Sequence, residues 1–423
     1  MSHTRAFSSF SNMSKTTHID PKDFITGPFW SCPKCSSNDF GVLLISGDSY
    51  TRRCRRCWHT HRYSLPPIKK RIVYIDQFAV SNMLKAKDKG TKGHERTMQE
   101  PFWGALWDLL ANLRRLQLIC CPDSEEHENE SLLSPFFESL KSTYERLSGG
   151  VTFRGFEHVR LAQGFQLVHA WVKGKEPKYN FDADTISYGG IHKWNDRVYV
   201  TTGSMKTNLV DSIRRAREAS HDELEKIFKR WKQEKKTYEQ VYELERKGYL
   251  QGILAEYKRV LAARNSILTG KVPDLNSILQ CEGEILQNCV LDTVYQEKGP
   301  AKLKELSIKF FKDDLPKELP FNKIQSALYT VLAMKAMAGQ NRCPNKGTIS
   351  DIKFISTLLP YCDAMFVDNK ARALINDVPG IHVFAYPCRV FSLNNKAEFL
   401  AYLGSLQDSA TPAHLEAVRN LYG

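Results

Sequence analysis

The sequence predicts an α/β protein: a parallel sheet flanked by helices, interrupted by a large, mostly helical insertion and preceded by a small N-terminal β module. Three observations predict it. Short apolar, β-rich runs at residues 72–75, 116–121, 364–367 and 381–384 alternate with helix-period patterns. The span 135–320 is dominated instead by helical periodicity. Residues 25–66 carry paired cysteines around a strand–turn–strand pattern and little else that builds a core.

The chain has 423 residues, more than one compact core usually holds, so several domains are expected. Their boundaries are read as a flexible tail at 1–24, a ribbon at 25–66, a first half-core at 67–134, the insertion at 135–320, and a second half-core with C-terminal helices at 321–423. Hydrophobic residues at 42% and charged residues at 25% are ordinary for a globular chain. There is no run of about 18 apolar residues, so no membrane span is expected. The first 25 residues lack a signal-like apolar stretch, and the expected location is cytoplasmic. No GxxxxGK[ST] or GxGxxG element occurs, which argues against a nucleotide-driven motor.

The net charge is +13, and residues 1–71 hold an excess of +8 from 12 Lys/Arg against 4 Asp/Glu. A basic module of this kind attracts polyanions, nucleic acid first among them; plain solubility is the competing explanation. Of the 11 cysteines, four form two CxxC pairs, Cys32/Cys35 and Cys54/Cys57. The other seven sit in apolar contexts and are read as reduced core residues.

Each CxxC makes a tight knuckle that aims two thiolates inward. Four thiolates then close a tetrahedron around zinc with no position left for a substrate, so the site is structural. A redox CxxC would be expected beside a helix of a βαβ unit, and neither pair has that context. Between the knuckles, residues 40–45 and 49–52 read as a hairpin, with Trp58 and Tyr63 covering the small core. Arg52, Arg53, Arg55 and Arg56, joined by His59 and Arg62, can contact phosphates while Trp58 or Tyr63 stacks on a base.

Beyond Pro66-Pro67, the run 72–75 ends in Asp76, and the run 364–367 ends in Asp368. Residues 116–121 lead into an acidic stretch that includes Glu126, Glu128 and Glu130, and Asp351 opens a helix. Carboxylates at strand ends in a parallel sheet fall along one edge, where chemistry is usually found. Clustered acids repel one another, and a hard divalent cation relieves that repulsion. For any single acid a helix cap is the simpler explanation, Asp351 above all; recurrence of the strand–acid–helix arrangement weighs against it.

These segments resemble the PIN-domain nucleases. The resemblance rests on residues 73–76, on 124–130, and on Asp351 with the stretch 362–369, and covers about a quarter of the chain. It implies a parallel α/β sandwich that cleaves RNA, sometimes DNA, with Mg²⁺ or Mn²⁺ held by Asp76, Glu130, Asp351 and Asp368. For the second position Glu126 and Glu128 are rivals; Glu130 lies a helical turn past His127. Gln77 follows Asp76 where the family often has a small polar residue. A non-catalytic nucleic-acid-binding or adaptor protein with a degenerate PIN-like fold is the alternative.

The insertion reads as helices at 139–147 and 159–172, a short strand at 197–200, and one long charged helix over 211–268, broken near Gly248 and Gly252. Its apolar positions Leu224, Phe228, Trp231, Tyr238, Val241 and Tyr242 recur at steps of three, four or seven. An amphipathic arm packed on itself is the expectation, and such arms can form homodimers. Its basic residues, Arg214, Arg215 and Arg217 among them, are read as a solvated face in preference to a nucleic-acid track.

Overall fold

The computed structural model describes residues 20–195, 210–270, 278–380 and 385–423. The expected strands at 197–200 and 381–384, and most of the expected N-terminal tail, lie outside the described residues. The chain divides into two compact units: residues 1–67, 194–198 and 411–423 form one, and 68–193 with 199–410 the other.

The first unit holds an antiparallel sheet of β1 (Thr26–Trp30), β2 (Phe40–Ser46), β3 (Ser49–Cys54) and β4 (Thr60–Ser64), paired in that order. The expected hairpin is β2–β3, turned at Gly47 with φ 59°, a left-handed conformation that glycine adopts without a Cβ penalty. β1 and β4 extend it on either side.

The second unit opens with β5 (Arg71–Ile75), which enters α1 (Gln77–Lys87). Short α2 (His94–Met98) and amphipathic α3 (Phe102–Arg115) lead to β6 (Ile119–Cys120), shorter than the expected 116–121. Gln117 takes φ 58° in the turn after α3, so extended backbone starts only beyond it. There follow β7 (Asp123–Ser124), α4 (Glu125–Leu132), α5 (Phe137–Ser148), β8 (Thr152–Phe153), α6 (Phe156–Val172) and β9 (Ser187–Tyr188). The insertion continues with α7 (Val210–Trp231), α8 (Tyr238–Leu268), α9 (Glu282–Lys298) and α10 (Leu303–Lys312). The chain returns through α11 (Pro320–Met337), α12 (Gly347–Leu358), β10 (Ala364–Phe366), α13 (Asn369–Asn376), β11 (Arg389–Phe391) and α14 (Lys396–Asp408). The last helix, α15 (Pro412–Tyr422), belongs to the first unit rather than to the second half-core.

The main sheet runs β11-β10-β5-β6, all parallel, with Ala364 opposite Val73 and Phe366 opposite Ile75. Strand period two sorts β5 onto two faces. Ile72 and Tyr74 join one apolar cluster with Met365, α11, α12 and α13. Val73 and Ile75 join another with Phe366, α1, α3, α5 and α14. Burial of each such Val, Ile or Phe stabilises by roughly 1.5–3 kcal/mol, which is why both strands read as unbroken apolar runs.

The long helix expected over 211–268 is two helices. α7 ends at Trp231, and α8 starts afresh at Thr237, whose hydroxyl accepts from the Gln240 backbone while the Gln240 side chain accepts from the Thr237 N–H. This capping box, not the glycines, makes the break; Gly248 and Gly252 lie within α8. Nor is α7 an arm packed on itself. Leu224, Phe228, Trp231 and Val241 are buried in the cluster on the sheet, so that apolar face is covered within the chain. The rest of the insertion, α6 and α8–α10, has its own cluster around Val168, Ile253, Val290 and Phe310.

Candidate metal centres

The four ribbon cysteines converge. Cys32 and Cys57 Sγ lie 3.6 Å apart, Cys35 and Cys54 Sγ 3.7 Å, and all four sulfurs fall within 4.8 Å of one another. A tetrahedral zinc with Zn–S near 2.3 Å requires sulfur–sulfur edges of about 3.8 Å. The donor set therefore fits a closed four-thiolate ion. Burial pushes the Cys54 thiol up, but bonds from Ser37, the Cys57 N–H and the Arg56 N–H outweigh it and bring it down to about 6, whereas at Cys57 the His59 backbone bond is outweighed by burial and the neighbouring thiols, which push it up to about 12.

The basic residues around the knuckles separate by role. Arg52 is a correction to the expected phosphate contacts: it is 0% exposed. Its guanidinium donates to the carbonyls of Pro28 (2.7 Å), Phe40 (2.9 Å) and Asn420 (2.6 Å) and sits 3.3 Å from the Trp30 ring centroid. It ties β1, β2 and α15 together and offers no ligand surface. Arg55 bonds the Ile25 carbonyl and lies over Phe29. Arg53 stacks on Trp58, which is 39% exposed, and Arg56 is exposed. Trp58 thus faces outward; Trp30 and Tyr63 cover the cysteine core.

The second unit brings the four predicted carboxylates to one cleft. A cavity of about 390 Å³ is lined by Asp76, Glu130, Asp351 and Asp368, together with Gln77, Ser81 and Asn345. Asp76 and Asp368 follow adjacent parallel strands, and so emerge side by side at the carboxyl edge of the sheet. Asp76 occupies the N-cap position of α1 without a side-chain capping bond, so capping does not account for it. Asp368 does cap α13, accepting from the Ala371 N–H at 2.6 Å.

Asp351 departs from the expected local setting, and Glu130 lies on a helix of its own. α12 starts at Gly347, so Asp351 lies within the helix and does not open it. The acidic stretch is itself the helix α4, capped by the Ser124 hydroxyl on the His127 N–H. His127 is buried between Tyr74 and Tyr144, at ring distances of 5.0 and 4.6 Å. Burial drives its pKa down to about 3, so it stays neutral and acts as a core ring. It anchors α4, and Glu130 three residues on reaches the cleft. Of its rivals, Glu126 accepts from the Ser350 hydroxyl at 3.2 Å, and neither it nor Glu128 lines the cavity.

The acids feel one another. Burial, then Glu130 and Asp368, raise Asp76 to about 7. Burial, then Asp76, Asp368 and Glu130, raise Asp351 to about 8. Glu130 is also raised by burial, against the pull of Arg217. Hard oxygen donors in mutual repulsion suit Mg²⁺ or Mn²⁺. Yet among the described residues only the cysteine set brings three or more ligand atoms within 4.8 Å of one another. The carboxylates line one cavity without converging on a single point.

Arg217, read from the sequence as part of a solvated face, instead turns inward, its Nη2 3.1 Å from Glu130 Oε1. A charged helix gives no local signal for which of its arginines turns inward. Gln77 was readable as the residue after the strand-end acid; its side chain accepts from Ser131 and Tyr144 hydroxyls. A larger cavity, about 790 Å³, opens at the other end of the sheet beside Asp363. There Asp363 is engaged by Arg71 and the Ile72 N–H, a structural role.

Compared with protein-family models, curated proteins and solved structures, the chain has no match. Among the described residues no helix is long and apolar enough to cross a membrane.

Proposed function

We propose that the chain is a metal-dependent nuclease that hydrolyses phosphodiester bonds, RNA before DNA, with a zinc-stabilised basic ribbon recruiting the nucleic acid. The observation that carries the reading is the meeting of Asp76, Glu130, Asp351 and Asp368, from segments up to 292 positions apart, in one cleft at the carboxyl edge of the parallel sheet. These four would hold Mg²⁺ or Mn²⁺, which supplies an activated water and neutralises charge on the phosphate. Asp76 and Asp368 present oxygens from adjacent strands. Asp351 and Glu130 supply further oxygens from helices packed on one face of the sheet. In the ribbon, Cys32, Cys35, Cys54 and Cys57 hold zinc as a structural ion, and Arg53, Arg56 and Trp58 are the surface residues suited to a phosphate and a base. The preference for RNA comes from the PIN-like motifs, an associational warrant.

A second reading, a non-catalytic nucleic-acid-binding adaptor, is favoured by the wide spacing of the carboxylates. One assay separates the two. The purified chain is incubated with labelled single- and double-stranded RNA and DNA in Mn²⁺ or Mg²⁺, beside Asp76→Asn and Asp368→Asn. Cleavage lost in both variants is expected, by about 10²-fold or more. Binding without cleavage selects the adaptor, and cleavage that survives both substitutions removes the cleft from consideration.

A further inference from the structure

The inward face of α7 reads Arg217, His221, Leu224, Phe228 and Trp231, at alternating steps of four and three. Its apolar C-terminal half is buried in the cluster on the sheet, which fixes the helix in place. Its N-terminal half therefore carries Arg217 onto Glu130, with the two side chains 25% and 23% exposed. α7 is also bound to the segment that brings Asn345 to the cleft. His221 Nε2 lies 3.1 Å from the Pro344 carbonyl, Lys232 Nζ donates to the Asn341 carbonyl at 3.0 Å, and Lys346 pairs with Glu218 at 3.5 Å. α7 thus braces Glu130 and the segment around Asn345, both of which line the cleft, from just outside it.

Among the described residues, Glu130 is the one cleft acid with an ion-pair partner. About three-quarters of each side chain is covered, so the pair opens at small cost only when another cation takes Glu130 in place of Arg217. The guanidinium uses Nη2 on Glu130 and has no other acceptor among the described residues. Its remaining N–H groups form the planar fork that matches two phosphate oxygens. A cation taken up by Glu130 competes with Arg217 for the same carboxylate. Displaced, the guanidinium stands beside Glu130 with, among the described residues, no other acceptor, and a phosphate is the natural partner.

We infer that Arg217 is the phosphate-binding residue of the acidic cleft, parked on Glu130 and released when a divalent cation takes that carboxylate, so that cation and nucleic acid bind cooperatively. The inference rests on the nuclease reading and adds to it a coupling between the two ligands, reciprocal by linkage.

The test uses the full chain and two titrations: Mn²⁺ alone by calorimetry, and a short fluorescein-labelled phosphorothioate oligoribonucleotide in saturating Mn²⁺ by anisotropy. Arg217→Ala is expected to tighten Mn²⁺ about three- to tenfold, because a competing cation is gone, and to weaken the oligonucleotide about tenfold. The slope of log affinity against log salt should fall by about one phosphate contact. Arg217→Lys keeps the charge but not the fork, so Mn²⁺ affinity and salt slope stay near wild type while oligonucleotide affinity is intermediate. These opposite signs do not arise from a structural role. If Arg217→Ala weakens both ligands together, or changes neither, the inference is overturned. Should Asp76→Asn leave Mn²⁺ binding intact, the nuclease reading fails and this one with it. Should Asp76→Asn abolish Mn²⁺ binding while Arg217→Ala leaves the oligonucleotide untouched, only this one fails.

Discussion

The two candidate metal centres of this chain are built on opposite plans. In the ribbon, two sulfur–sulfur edges stand at 3.6 and 3.7 Å, near those of a zinc tetrahedron, and all four sulfurs lie within 4.8 Å of one another. In the cleft, four carboxylates share a cavity but keep their distance, with two of them raised to about 7 and about 8. The difference follows from local chain geometry. A CxxC knuckle brings two ligands together within four residues, so a small hairpin module can complete the set. Strand-end acids are brought together by the sheet, and each sits on a different element whose packing is decided by the core. One centre is a closed set of donors; the other is an open cleft lined by acids.

Breaking the cysteine set has the largest expected effect. Cys54→Ser removes a thiolate from the closed set, and apparent zinc-binding free energies in such modules are about 10–16 kcal/mol. Loss of one zinc per chain is expected, together with proteolytic cutting inside residues 25–66. Zinc content by metal analysis and a limited digest check this. A variant that keeps its zinc and its protease resistance would mean that the cysteines are not the ligands. The reciprocal substitution, Asp76→Asn, should leave zinc content at wild type.

Acid separates the centres by sign. Asp76 and Asp351 bind a proton more tightly folded than unfolded, since their carboxyls lie at about 7 and about 8 against 3.8. Between those limits the folded state holds more protons, so the two groups make stability fall as pH rises from about 4 to about 8. Asp76→Asn should flatten this slope and raise stability near pH 7.5 by on the order of 1–3 kcal/mol. Mn²⁺ should flatten it too. The zinc centre runs the other way, because protonated thiols release the ion as pH falls. Thermal melts of wild type and Asp76→Asn between pH 5 and 8, with and without Mn²⁺, read the cleft; zinc release monitored over the same range reads the ribbon. A melting temperature that rises steadily with pH in wild type and variant alike would remove the repulsion argument.

What the sequence made legible follows the same division. Cys32, Cys35, Cys54 and Cys57 could be read because spacing alone determines their geometry. Asp76 and Asp368 could be read because each closes an apolar run buried on both faces, Ile72 to Ile75 and Ala364 to Phe366. Asp351 was placed at a helix start because Ser350-Asp351 looks like a cap, whereas the helix begins four residues earlier at Gly347. Glu130 could be ranked above Glu126 and Glu128 by its offset of a helical turn from His127, and it and His127 both lie within α4. The partnership of α7 with the cleft was not legible: it depends on Leu224, Phe228 and Trp231 burying against the sheet, a tertiary choice that a helical period leaves open. The α8 start was available in Thr237 and Gln240, a capping-box spacing that the glycines overshadowed.

The finest contrast lies inside the ribbon, between two arginines four positions apart. Arg52 is buried, donates to three carbonyls and stacks on Trp30. Truncating it leaves buried carbonyls without donors, each worth roughly 1–3 kcal/mol, and removes a cation–π contact. Arg56 is exposed, and surface substitutions of that kind change stability by about 0.5 kcal/mol or less. Arg52→Ala should therefore lower the melting temperature of the zinc-loaded protein, while Arg56→Ala should leave it unchanged. Nucleic-acid affinity at fixed salt should rank the other way once folding is matched: Arg56→Ala costs about one phosphate contact in salt slope, and Arg52→Lys, if it folds, costs none. Equal losses of affinity in the two variants at equal stability would return Arg52 to the binding surface and undo the assignment made from its burial. A loss confined to Arg56→Ala would mark the outer face of the second knuckle, with Arg53 stacked on Trp58 beside it, as the place where the ribbon meets its polyanion.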